Sequence, residues 1–374
     1  MLEMGYSTQC NQYREYKQTV SMLIPPATVE SRSNRKLNML VIQRIFVTAL
    51  FIIILMPGHT FATEREDQIK IYKKKIESVI DQGKMPIIDV ELHCGKNINI
   101  DALMKKMDRN GVVLTWLGPT EKLGSDYSLK IGDEHPDYFV PTTVHGDGKL
   151  WHGSDRAFLD RLARDVRSGK YFAMGEFEAR HYISSTNDRD VHMPVDGEAM
   201  QVVFEAASAT GLPFLLHHEA EDAMLPELER MLVKYPKAKV IWCHVGRNRN
   251  NWTWKKIPTP NGTREFLIKY PNLYFDLVQS KPGSRYRGTG AEEAIMYNVT
   301  LLGASLDPEW KKLFEEFPDR FVIGSDINNG RFDNYDRVME TLRGIVFKSL
   351  KKEVAEGIAF KNAWRLMTGV NWQE

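Results

Sequence analysis

The sequence predicts an α/β fold, a (β/α)8 TIM barrel preceded by a signal peptide, on three observations. Eight strand-like runs alternate with helix-like segments between residues 86 and 367. Several of these runs are continuously apolar, as parallel strands covered on both faces are. Their C-terminal ends carry histidines and carboxylates, one strand after another: Glu91 and His93, Glu176, His217, His244 and Asp326. In such a barrel all strand C-termini meet on one face, so residues far apart in sequence converge there.

The elements follow in order. Residues 1–38 are polar and irregular and read as an N-terminal extension, with Met39 a candidate for the true start. Arg44, the apolar run Ile45–Met56 and Thr60-Phe61-Ala62 then have the layout of a signal peptide over 39–62, cut after Ala62. An exported, periplasmic or secreted protein with no stable membrane span after cleavage is the expectation, an uncleaved anchor the alternative. Residues 63–84 read as a leading amphipathic helix, with Ile69, Ile71, Tyr72, Ile76, Val79 and Ile80 at helical spacing and Gly83 as its stop. The catalytic domain is expected over 85–374.

Strands are expected at 86–93, 111–117, 138–144, 171–178, 212–217, 238–244, 272–278 and 320–326. Helices are expected at 100–109, 154–168, 198–210, 224–235, 262–270, 307–317 and 333–346, with two more after them. Segments 118–137, 145–153, 179–197 and 279–306 read as long loops following strands, on the face where substrate selection is built. An open doubly wound sheet is the competing topology, since alternation alone does not show closure. No Gly-x-Gly-x-x-Gly follows a strand, which counts against a nucleotide-binding sheet.

Composition narrows the class. The 374 residues are 43% hydrophobic and 26% charged, as in globular proteins. A net charge of +1, from 50 basic and 49 acidic residues, points to no nucleic-acid partner. Three cysteines make no disulfide framework. Cys94 and Cys243 each adjoin a candidate histidine, so strand alternation turns them away from it into the packing.

Histidines and carboxylates that converge have the composition of a divalent-metal site. Glu91 and His93 are two apart, so both face one side, with Asp89 one pleat deeper. These residues carry a resemblance to a known family. Ile-Asp-Val-Glu-Leu-His resembles the strand-1 Asp-x-His-x-His signature of the amidohydrolase superfamily, amidohydrolase-2 branch. Leu-Pro-Phe-Leu-Leu-His, Val-Ile-Trp-Cys-His-Val-Gly and Phe-Val-Ile-Gly-Ser-Asp resemble strands 5, 6 and 8. Ala-Phe-Lys-Asn-Ala-Trp-Arg-Leu resembles the family's C-terminal Asn-Ala-x-Arg-Leu segment, so the likeness spans residues 85–370.

The resemblance implies a metal-dependent TIM-barrel hydrolase acting on a small carbonyl substrate such as an amide, lactone or ester. It implies Glu91, His93, Glu176, His217, His244 and Asp326 as metal ligands. Asp326 is the general base or a ligand, and His244 polarises the carbonyl. One zinc or manganese ion is expected, with a second as an option that turns on Glu176 or Glu178. Glu91 replaces the first histidine of the pair, as in some members that are non-oxidative decarboxylases, and a harder site leans toward manganese. Decarboxylation or hydration of a carboxylated substrate is therefore the runner-up, and a catalytically silent ligand-binding barrel the reading from another class. Trp116, Arg180, His218 and Arg247 are the substrate-binding candidates, with His145, His181, Glu219, Lys281, Arg285 and Arg287 also near strand ends. The arginines suggest a carboxylated small molecule. Trp252 and Trp254 are candidates for an aromatic lip. The oligomeric state stays open, a homodimer included.

Overall fold

The computed structural model describes residues 58–183, 190–250, 256–277 and 280–373. The expected extension, most of the expected signal segment, Trp252 and Trp254 lie outside the described residues. Helix α1, Gly58–Ile80, takes in the end of that segment and the leading helix. It docks through Arg65, which donates to the carbonyls of Tyr171 (2.7 Å) and Met367 (2.9 Å), and through Tyr72, which donates to that of Phe139 (2.9 Å). No helix among the described residues is long and apolar enough to cross a membrane.

Eight parallel strands then appear in sequence order. They are β1 Ile87–Cys94, β2 Val112–Pro119, β3 Phe139–Pro141, β4 Met174–His181, β5 Pro213–His218, β6 Lys239–Trp242, β7 Leu273–Asp276 and β8 Phe321–Val322. Strands β1 to β3 form one sheet and β4 to β8 another, each strand beside its neighbour in sequence. The ladders are not continuous around the set. Isolated parallel bridges span both seams: Asp89–Ile323 and Leu92–Ile327 between β1 and β8, Thr142–Ala173 and Gly146–Phe177 between β3 and β4. A two-residue strand, Val191–His192, pairs antiparallel to β4, and Tyr297–Thr300 forms a hairpin with Gly303–Leu306.

Helices between the strands form for local reasons. In α2 (Ile100–Asn110) the Asn99 side chain accepts from the Ala102 N–H and Gly111 closes the helix at φ 66°. Leu103 and Met107, four apart, are its buried stripe. Segment 118–137 is not all loop: Asp126–Glu134 is a helix, α3, whose polar run with Gly132 hid the period. The later helices are α4 Lys149–His152, α5 Arg156–Arg167, α6 Glu198–Thr210, α7 Leu225–Lys234, α8 Pro260–Lys269, α9 Pro308–Glu316, α10 Tyr335–Thr341, α11 Lys352–Glu356 and α12 Asn362–Thr368. The Asn-Ala-x-Arg-Leu segment has a structural task. Asn362 donates to the carbonyls of Pro318 (2.8 Å) and Phe321 (2.9 Å), and Arg365 to that of Asp319 (2.7 Å), which pins the entry to β8.

Candidate metal centre

The strand ends bring the six expected ligands together. His93 Nε2 lies 3.0 Å from Glu176 Oε2, 3.3 Å from Asp326 Oδ1 and 3.9 Å from Glu91 Oε1. His217 Nδ1 is 2.7 Å from Glu176 Oε1, and His244 Nε2 is 3.2 Å from that same His217 nitrogen. From His244 Nε2 both Glu91 Oε1 and Glu176 Oε1 are 3.7 Å away. Glu176 is thus the hub. Among the described residues neither Arg180 nor a lysine pairs with it, and Glu178 points instead to His152 at 2.9 Å.

Backbone irregularities aim these side chains. A bulge between Asp89 and Leu92 interrupts β1 at Glu91, and bulges precede Glu176 and follow Glu178 in β4. His244 (φ 57°), Val245 (φ 55°) and Asp326 (φ 51°) lie in the left-handed region, costly for residues with side chains and most of all for β-branched Val245. At the β1–β8 seam the Ser325 and Asp326 N–H groups both donate to the Glu91 carbonyl, and Asp89 accepts from the N–H groups of Ser325 and Glu91. The left-handed turn also corrects the expectation for Cys243. Because β6 ends at Trp242, alternation fails there, and the thiol faces inward, grouped with Glu91 and Asp276. Cys94 behaves as expected and is buried in the packing.

Charge in the cluster is unevenly matched. Burial opposes ionisation of Glu176, yet His217 and His93 hold its carboxyl well below the usual range. Asp326 is likewise held low against burial, by the Arg331 guanidinium and by His93. Arg331 takes both Asp326 oxygens, at 2.5 and 2.6 Å. Glu91 goes the other way: burial, then Asp276 and Glu176, push its pKa well up. It is 1% exposed, and neither of its carboxylate oxygens has a hydrogen-bond partner. A buried carboxyl without donors either takes up a proton, the direction its pKa has moved, or takes a cation as its partner. The donor set of imidazoles and carboxylates suits a divalent ion, and several groupings have ligand atoms within 4.8 Å of one another, including Glu176-His217-His244 and Glu91-His93-Glu176.

The expected substrate-binding residues are less concentrated. Arg180 is committed to Glu221 and Asp190 (both 2.5 Å) and to the Val191 carbonyl (2.8 Å), with its plane over Tyr182. Arg247 donates to the Glu293 carbonyl at 2.7 Å. His218 lies edge-on to Trp242, not in the cluster, and burial followed by His217 lowers its pKa to about 3. Trp116 is fully buried on β2, one pleat below Gly118. Glu219 holds Arg249 and the Tyr182 N–H, and so ties the β4 and β5 loops together. The residue missed from sequence is Arg331. Its signal was a cation five positions after the strand-8 aspartate.

Known proteins now bear on this geometry. The family profile described as "Amidohydrolase", of the amidohydrolase-2 type, matches residues 152–366, more than half of the chain. This chain belongs to the amidohydrolase-2 family. The matched range holds Glu176, His217, His244 and Asp326, while Glu91 and His93 precede it. No curated protein matches the chain. Among solved structures, an uncharacterized TIM-barrel protein from Bordetella bronchiseptica is similar, with 12% identity and a TM-score of 0.52 over 75% of this chain and 98% of that one. A dihydroorotase from Saccharomyces cerevisiae is 13% identical, with a TM-score of 0.51 over 76% of this chain and 84% of its own. At such identities the likeness is one of fold. Amidohydrolase-2 membership makes an enzyme with a small-molecule substrate the coarse functional conclusion, with the reaction left to chemistry.

Proposed function

We propose that this amidohydrolase-2 protein is a metal-dependent hydrolase of a small amide, lactone or ester, built on a closed (β/α)8 barrel. The bridges on both seams support closure, since they join β8 to β1 and β4 to β3. One observation carries the functional reading. Glu91 presents two buried oxygens without a hydrogen-bond partner to a cluster of histidines and carboxylates from β1, β4, β5, β6 and β8. His93, His217, Asp326 and Glu91 would hold a zinc or manganese ion, and Glu176 could share it or take a second. Such an ion lowers the pKa of its water to ~7 and so makes hydroxide available at neutral pH.

The residues themselves do the rest. Asp326, ionised by its neighbours, is placed to accept a proton from the attacking water. His244 Nε2 lies at the rim of the hub, where it can polarise a carbonyl oxygen. The runner-up, metal-assisted decarboxylation, is favoured by Glu91 in the first ligand position.

Purified protein with its divalent ions counted, then assayed against amides, lactones, esters and aromatic or oxo-acids, separates these readings. Hydrolysis dependent on the ion supports the first, and carbon dioxide release the second. Protein that neither contains nor binds zinc or manganese overturns both in favour of a silent barrel. We also propose export, checked by the mature N-terminus: a chain retaining residues 45–56 overturns cleavage.

A further inference from the structure

His145 is not among the six ligands, yet its ring is set into the centre with unusual care. Its N–H donates to the Pro119 carbonyl at the end of β2 (2.8 Å). The next residue, Gly146, exchanges hydrogen bonds with β4, donating to the Glu176 carbonyl (2.8 Å) and accepting from the Glu178 N–H (3.0 Å). The backbone at His145 is therefore clamped between two strands, and its side chain is 2% exposed.

Two glycines make the slot for the ring. A Cβ at Gly118 on β2 would overlap the His145 Nε2, and one at Gly175 on β4 would come within 2.5 Å of Cδ2. Neither glycine has a left-handed φ, so conformation does not require glycine at either position. Space does. Residue 118 on one side and residue 175 on the other lack side chains where the imidazole passes.

What the slot achieves is a ring–ring contact. His145 Nδ1 is 3.0 Å from His93 Nδ1, with the planes at 83° and the centroids 4.4 Å apart. A single proton fits between two such nitrogens, and its owner decides what His93 can do. If His145 donates, His93 carries its own proton on Nε2, which then points at Glu176 and Asp326 as a donor. If His93 donates, its Nε2 is a bare lone pair facing those carboxylates, and Nε2 has no hydrogen-bond partner in the protein. Only the second arrangement makes His93 a ligand.

We infer that His145 is a positioning residue, which accepts the Nδ1 proton of His93 and so holds the Nε2 lone pair toward the metal position, with Gly118 and Gly175 as its obligatory slot. The inference rests on the metal reading above.

The test is titration of Mn2+ and of Zn2+ alone into metal-stripped protein, by calorimetry, with no substrate present. His145→Leu fills the slot without an acceptor and is expected to bind about 10–100-fold more weakly. His145→Asn, whose Oδ1 can stand where Nδ1 stood, is expected to recover most of that loss. Gly118→Ala, which displaces the ring while leaving His145 in the chain, should resemble the leucine variant. A purely structural role would lower the melting temperature in all three without separating asparagine from leucine in affinity. Leucine and alanine variants that bind as tightly as the parent overturn the positioning role and leave the metal reading intact. A parent protein that binds neither ion overturns both. Should His145→Leu not fold, the comparison of Gly118→Ala with His145→Asn decides the matter by the same criterion.

Discussion

Arg331 grips both carboxylate oxygens of Asp326, at 2.5 and 2.6 Å, from five residues further along the chain. Its side chain is 43% exposed at the rim, whereas Asp326 is buried. A cation and an arginine therefore compete for one pair of oxygens. Arg331→Gln is expected to bind Mn2+ about tenfold more tightly, because one positive charge beside the ion is gone. Isothermal titration reads this directly, and weaker binding would show that the guanidinium instead holds Asp326 in its coordinating pose.

Asp326→Asn keeps the shape and loses the charge. Asparagine tolerates the left-handed φ of 51° well, so the fold should survive with little change in melting temperature. Turnover, on any substrate the panel identifies, should fall by roughly 10²–10⁴-fold through loss of the proton acceptor. Activity near that of the parent would remove Asp326 from its proposed role.

Asn362 offers a test remote from the chemistry. Its two hydrogen bonds to the carbonyls of Pro318 and Phe321 are buried beneath β8. Asn362→Ala leaves those acceptors unmet and should cost about 2–3 kcal/mol. The urea midpoint should drop with the slope unchanged. An unshifted midpoint would mean that water satisfies the carbonyls.

Much of this layout was legible beforehand. Apolar runs placed all eight strands, and the strand-end residues Glu91, His93, Glu176, His217, His244 and Asp326 do meet. Period and parity failed where the backbone leaves regular geometry. Cys243 turned inward because the strand ends at Trp242 and the chain goes left-handed at His244 and Val245. Strands β3 and β8 are shorter than their apolar runs because the seams are made of isolated bridges, which hydrophobicity does not encode. Arg180 looked like a substrate fork from its position, but Glu221 and Asp190 claim it, and sequence separation hid both partners.

Acid should reveal a further joint, away from the site. Asp336 at the start of α10 binds Lys106 (2.6 Å) and Arg109 (2.7 Å) of α2, with Asn110 donating to it as well. Partial burial opposes the shift, but Lys106, Arg109 and Asn110 bring its pKa down to about 2. The folded value lies below the unfolded one, so this stabilisation is complete above about pH 4 and vanishes as pH falls toward 2. Allowing for solvent screening, it amounts to about 1 kcal/mol. Denaturant midpoints of Asp336→Asn and the parent should differ at pH 6 and converge near pH 2. A gap independent of pH would remove the charge from the explanation.

Asn362 also sets an order of events. The entry to β8 hangs on a side chain near the end of the chain, and Asp326 reaches its place only when the Glu91 carbonyl from the first strand receives its N–H. Residues through Asn362 must therefore be available before that joining of first and last strands is supported. On the proposed metal reading, the ion's site is complete only once β8 has met β1.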